Sequence, residues 1–138
     1  GEMLSLKQLN LPVKVFVFNN EELSFIAMEM KASGYLDYAT DFVNPDFGKL
    51  AEAAGIKGIS ITNSSEVDKK IKEALNYNEG PVIINVRVDK QELAMPPKIA
   101  YQQAKGFSKY LINAILDGRG TELKEMAKTN WMKYKSLY

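Results

Sequence analysis

The sequence predicts an α/β fold, with a parallel sheet flanked by helices in three layers. Three short apolar runs, "VKVFVF" from Val13, "GISITN" from Gly58 and "GPVIINVRVD" from Gly80, are rich in Val, Ile and Phe and read as strands. Segments of helical period lie between them. Glycine or proline stands at most of the junctions, and strands separated by helices imply parallel pairing through crossovers.

Taken in order, "MLSLKQLN" places Met3, Leu4, Leu6 and Leu9 at amphipathic spacing and closes at Leu11-Pro12, so it predicts a short first helix. "VKVFVF" follows as a strand apolar enough to be buried on both faces. Leu23 to Met30 predicts a helix stopped by Ser33-Gly34. "NPDFGKLAEAAG" predicts a turn, a helix from about Pro45 and a stop at Gly55. After the second strand, "SSEVDKKIKEALNY" predicts a helix with Ser64 or Ser65 as N-cap and Val67, Ile71, Ala74 and Leu75 on one face. The third strand enters through Pro81. Pro96-Pro97 then forbids a regular element and marks a connector, after which "YQQAKGFSKYLINAILDGRG" predicts a helix to Leu116 and Thr121 to Tyr138 a final segment.

Composition narrows the chemistry. A chain of 138 residues, 46% hydrophobic and 25% charged, suffices for one core, and a formal net charge of +1 gives no sign of a surface built for nucleic acid. With no cysteine, disulfides and thiolate chemistry are excluded; with no histidine, so are a Ser-His-Asp triad and a histidine-ligated zinc site within this chain. No apolar run approaches the roughly 20 residues that cross a bilayer.

The informative stretch is "VKVFVFNNEELSFIAMEM". An apolar strand stops at Asn19-Asn20, meets two glutamates, and resumes as a helix. Ligands of open parallel sheets gather at the carboxyl ends of strands. An amide oxygen there suits a hard cation such as Mg²⁺, and the amino end of the next helix favours a diphosphate. The same residues also make an ordinary capped turn, and residue spacing alone leaves both readings open.

"LPVKVFVFNN" resembles the second half of the thiamine-diphosphate fingerprint, in which Gly-Asp-Gly precedes a strand-ending Asn-Asn. "NPDFGKLAEAAGIKGI", "GPVIINVRVDKQELAMPPKI", "QQAKGFSKYLINAILDGRG" and "AKTNW" are similar to the carboxyl-terminal part of bacterial quinone-dependent pyruvate dehydrogenases, the acetate-forming pyruvate oxidase (PoxB) family. The resemblance implies a thiamine-diphosphate, Mg²⁺ and FAD enzyme that converts pyruvate to acetate and CO2 and passes electrons to quinone. It assigns Asn20 and the Glu22 carbonyl to the metal, Asn20, Leu23 and Ser24 to the cofactor, and Phe25, Ile26 and Glu29 to the wall of the substrate pocket. Phe25 and Ile26 also fit a plain core, and Glu29 a solvated helix face. The resemblance places residues 1–95 in a truncated thiamine-diphosphate-binding module beginning after its Gly-Asp-Gly turn, and residues 96–138 in a linker, a helix and a basic amphipathic tail. No catalytic residue falls within the chain. The metal-binding aspartate, the activating glutamate and the flavin domain belong elsewhere in such enzymes, so the chain is expected to be a fragment, inactive alone. Acetolactate synthases and oxygen-using pyruvate oxidases share the Asn-Asn strand end and stand as alternatives, as does a non-enzymatic module that binds a membrane or partner.

From Arg119 to Tyr138 five bases face two acids, a local charge of +3. Leu123, Met126, Ala127, Trp131, Tyr134 and Tyr138 recur at helical spacing, with Lys124 and Lys128 largely off that face. By resemblance this tail (Leu123, Lys124, Lys128, Trp131, Tyr134) docks a homo-oligomeric, tetrameric cytoplasmic enzyme on the inner face of the cell membrane, where quinone is dissolved. A terminal helix packed on its own domain is the other reading.

Overall fold

A computed structural model of the chain describes residues 2–90 and 100–136, with side chains as far as Trp131. In chain order the elements are α1 (Glu2–Gln8), β1 (Lys14–Asn19), α2 (Ser24–Ala32), α3 (Phe47–Ala53), β2 (Lys57–Ile61), α4 (Val67–Asn76), β3 (Val82–Arg87), α5 (Tyr101–Leu116) and α6 (Gly120–Ser136). They form two compact units, one of Gly1–Asn20 and Val43–Val88, the other of Glu21–Phe42 and Asp89–Tyr138. The chain therefore leaves the first unit right after Asn20 and returns at Val43, a division that differs from a linear cut after residue 95. The connector expected at Pro96-Pro97 lies outside the described residues.

The first unit is the predicted three-layer arrangement. Its sheet is parallel with order β1-β3-β2, and Phe16, Ile84 and Ile59 stand in register across it. Alternation along each strand divides the apolar residues between two faces. Ile59, Ile61, Val82 and Ile84 meet Ala74, Val67 and Ile71 of α4 on one face. Ile83 meets Ala51, Ile56, Val15, Val17 and Met3 on the other. The strand buried on both faces is β3, not β1: Val82 to Asn85 are buried, whereas β1 is half-buried and its Phe18 is 71% exposed. Apolar composition does not report a strand's place in the sheet, and among the described residues β1 pairs on one edge only.

Two helix starts differ from expectation because a better cap lies next door. Asp46, with extended backbone, accepts hydrogen bonds from the N–H groups of Gly48 and Lys49, so α3 begins at Phe47 and not at Pro45. The Asn63 side chain caps a single 3-10 turn over Ser64–Glu66, displacing both serines from that role, and α4 begins at Val67. The stop at Gly55 is as expected, with φ +71°. Helix α3 lies flush on β2: a Cβ on Gly58 would come within 2.7 Å of the Gly48 carbonyl carbon, and one on Gly48 within 3.0 Å of the Ile59 backbone.

The second unit is helical. Buried Tyr110, Ala114 and Met126 join α5 to α6, with Leu36, Phe107, Leu111 and Leu123 packed around them. Helices α2 and α5 approach backbone to backbone, since a Cβ on Gly106 would lie 2.8 Å from the Ala32 carbonyl carbon. Asn113 Nδ2 donates to the Gly34 carbonyl at 3.2 Å, fixing the left-handed glycine (φ +83°) that ends α2.

Candidate functional site

The candidate site residues fall in both units. In the first, Asn19 closes β1 and is 3% exposed; its Oδ1 accepts from Asn44 Nδ2 at 2.9 Å and its carbonyl from the Val88 N–H at 3.1 Å. Asn19 is thereby committed to holding the chain at Asn44, and Asn20, half-buried, follows it as the second amide of the pair. Around the carboxyl end of the sheet, Asp46 Oδ1 also accepts from the Ser60 hydroxyl and, at 3.4 Å, from Asn85 Nδ2. The Ser60 bond, above all, holds the Asp46 carboxyl below the ordinary carboxylate range.

In the second unit Glu21 adopts φ +56°, and Glu22 forms an isolated antiparallel bridge with Asp41. The bridge is closed by Phe42 N–H to the Glu21 carbonyl (2.9 Å) and Leu23 N–H to the Thr40 carbonyl (2.8 Å). In such a pair the central residue's own carbonyl lies on the opposite edge, so the Glu22 carbonyl points away from the Asp41 segment. The Glu22 side chain is half-buried and accepts from Ser24 Oγ at 3.3 Å. Burial pushes its carboxyl pKa upward against the opposing field of Lys31 and Lys90; Lys90 itself pairs with Asp41. Helix α2 begins at Ser24 with Leu23 as N-cap, whose side chain makes no capping hydrogen bond. Phe25 is 77% exposed, Ile26 48% exposed and Glu29 exposed, so Phe25 and Ile26 are not core residues of this unit. Phe25 and Glu29 share a helix face at spacing i, i+4.

The donor set tests the expected cation. Among the described residues no group of three or more carboxylates could hold a metal. What the chain offers is an amide oxygen at Asn20 and a main-chain carbonyl at Glu22. These hard donors suit Mg²⁺, which uses few protein ligands and completes its shell with phosphate oxygens and water. The residues fit the ion as partial ligands.

In the tail, Lys124, Lys128 and Trp131 (63%) are exposed, while half-buried Leu123 and buried Met126 are packed on α5. The start of the apolar stripe is thus spent on the unit's own core. The Tyr134 side chain lies outside the described residues.

The sequence reading missed Lys31. It is 3% exposed, lies 3.4 Å from Glu122 Oε1 and sits over the Tyr110 ring at 5.5 Å. A lysine at i+4 from buried Ala27 was the available signal.

A parallel sheet whose first strand ends in paired amides, followed in the chain by a helix, belongs to the class of α/β proteins that receive ligands at the carboxyl ends of their strands. Residues 1–86 match the family described as thiamine pyrophosphate enzyme, C-terminal TPP binding domain. The chain belongs to that family. It is 37% identical over 119 residues to a Bacillus subtilis (strain 168) protein named "Putative thiamine pyrophosphate-containing protein YdaP", covering 86% of this chain and 20% of the relative. It is 38% identical over 96 residues to the mitochondrial acetolactate synthase catalytic subunit of Saccharomyces cerevisiae, covering 69% and 14%. With the Haemophilus influenzae acetolactate synthase large subunit the identity is 29% over 100 residues, covering 71% and 18%. The chain spans a fifth or less of these relatives. Their names carry the resemblance to the level of thiamine pyrophosphate enzymes, not to pyruvate oxidases in particular.

Proposed function

We propose that the chain is the diphosphate-binding part of a thiamine-diphosphate- and Mg²⁺-dependent enzyme acting on pyruvate, and that the parent enzyme is a flavin-linked pyruvate:quinone oxidoreductase forming acetate and CO2. When bound, thiamine diphosphate supplies the nucleophilic carbon and the electron sink for decarboxylation. The residues of this chain bind and orient. Asn20 Oδ1 and the Glu22 carbonyl would hold Mg²⁺, Leu23 and Ser24 in the first turn of α2 would meet the diphosphate, and Phe25, Ile26 and Glu29 would line the pocket and keep water from it. FAD is bound outside this chain.

The observation that carries the choice of quinone is the basic helix α6, where Lys124, Lys128 and Trp131 are exposed. An exposed indole flanked by lysines suits a lipid interface, and a quinone-linked enzyme must reach its acceptor there. The sequence identity with acetolactate synthases favours a second reading, in which the same cofactor chemistry ends in acetolactate without net oxidation. The complete parent enzyme, supplied with pyruvate, thiamine diphosphate, Mg²⁺ and FAD, separates the two. Acetate formed in step with reduction of a quinone or dye supports the oxidoreductase; acetolactate without acceptor reduction replaces it with the synthase reading.

A further inference from the structure

Helix α2 carries the residues proposed to meet the cofactor at its first turn, and a polar network closes around its other end. Lys31, in its last turn, is buried at 3% exposure. Its ammonium lies 3.4 Å from Glu122 Oε1 on α6 and 3.9 Å from Asp37 Oδ2, and over the ring of Tyr110 on α5. The Tyr110 hydroxyl donates to the same Glu122 oxygen at 3.3 Å, and Arg119 reaches Asp37 at 3.1 Å and Glu122 at 3.9 Å. Two cations, two carboxylates and a phenol thus close a network around the end of α2.

Turning α2 or sliding it along its axis would draw the buried Lys31 ammonium away from Glu122 on α6, 3.4 Å distant. Apolar packing alone tolerates such shifts more readily, whereas an unpaired buried charge costs several kcal/mol. Seven residues of helix, about 10 Å, separate Lys31 from Ser24, so a rotation at one end is transmitted rigidly to the other. Gly106, flush against Ala32, supplies the close approach about which α2 would otherwise turn.

We infer that Lys31 is a positioning residue for the cofactor site: with Glu122 and Asp37 it fixes the rotation and register of α2, and so the direction in which Ser24 and Phe25 are presented. This rests on the reading that the first turn of α2 meets thiamine diphosphate. It makes α6, through Glu122, part of the binding unit.

The test uses the complete parent enzyme as Lys31→Met, Lys31→Arg and the double variant Lys31→Met/Glu122→Gln, which removes both members of the shorter of the two Lys31 ion pairs. Lys31→Met should raise the thiamine diphosphate concentration for half-saturation about tenfold. Lys31→Arg should recover most of that loss. The double variant should regain thermal stability without regaining cofactor affinity. Amide exchange over residues 24–32, measured without cofactor, should rise in Lys31→Met and in the double variant. Half-saturation within twofold of wild type in both, with unchanged α2 exchange, would overturn the inference alone. Failure of the wild-type parent to bind thiamine diphosphate would overturn the functional reading and this inference with it.

Discussion

Replacing Gly58 by alanine tests the close packing of α3 on β2. The added methyl would sit 2.7 Å from the Gly48 carbonyl carbon, nearer still to its oxygen, and 2.9 Å from Glu52 Cγ. The glutamate side chain can swing away; the backbone cannot. Ordinary contact begins at 3.4 Å, so α3 must retreat by about 1 Å, a gap that forfeits a quarter to a half of the dispersion attraction across it. Ala51 and Ile83, both buried in that seam, lose contact together. Because the clash is with backbone, overpacking here falls near the middle to upper part of its range, about 2–2.5 kcal/mol, and relieving the strand of a glycine returns roughly 0.5–1 kcal/mol, leaving a net loss of about 1–2 kcal/mol. Amide exchange in the parent enzyme should therefore accelerate roughly five- to thirty-fold over residues 47–53 and 57–61. Gly120→Ala, whose methyl meets nothing within 4 Å, is the control and should leave those segments unchanged. Exchange within twofold of wild type in Gly58→Ala would refute the claim that α3 rests backbone to backbone on β2.

The Asp46 carboxyl, held below its ordinary pKa chiefly by Ser60, stabilises the α3 start fully above the unfolded-state value and loses that contribution as pH falls through the lowered folded value; protection of residues 47–53 should therefore drop below about pH 4, and Asp46→Asn should flatten that dependence in an exchange profile. Asn20→Leu in the parent enzyme should weaken Mg²⁺-dependent thiamine diphosphate binding about tenfold or more while leaving the fold intact, as read by cofactor titration; unchanged affinity would make Asn20 a turn residue only. Lys124→Gln with Lys128→Gln should weaken flotation on anionic liposomes roughly thirty-fold, from about 1 kcal/mol per lysine near the surface, while sparing transfer to a soluble dye; equal flotation and equal quinone turnover would confine α6 to packing on α5.

The sheet was legible in the sequence because its strands are short, apolar and punctuated, and because the crossovers between them leave parallel pairing as the arrangement. Position within the sheet was not: "VKVFVF" and "PVIINV" look alike, yet only the second is covered on both sides. The helix starts shifted by two or three residues, since Asp46 and Asn63 compete with neighbouring proline and serines for the same cap and only the backbone conformation decides. Asn20 and Glu22 were visible through a known pattern of residues. Lys31 was not, because a lysine in a helix ordinarily reads as a solvated position and its partner Glu122 lies 91 residues further along the chain.

The strand order has a kinetic consequence. Among the described strands β3 is the last in chain order and the one to which both others bond, and Lys14 waits about seventy residues for its partner Val82. Until then β1 and β2 lack the strand that joins them. Sheet assembly is therefore a late, non-local event whose rate is set by loop closure. A nascent chain stalled before Val82 lacks the strand that joins β1 to β2, and an unpaired strand edge is what a holdase chaperone or an aggregation nucleus acts on.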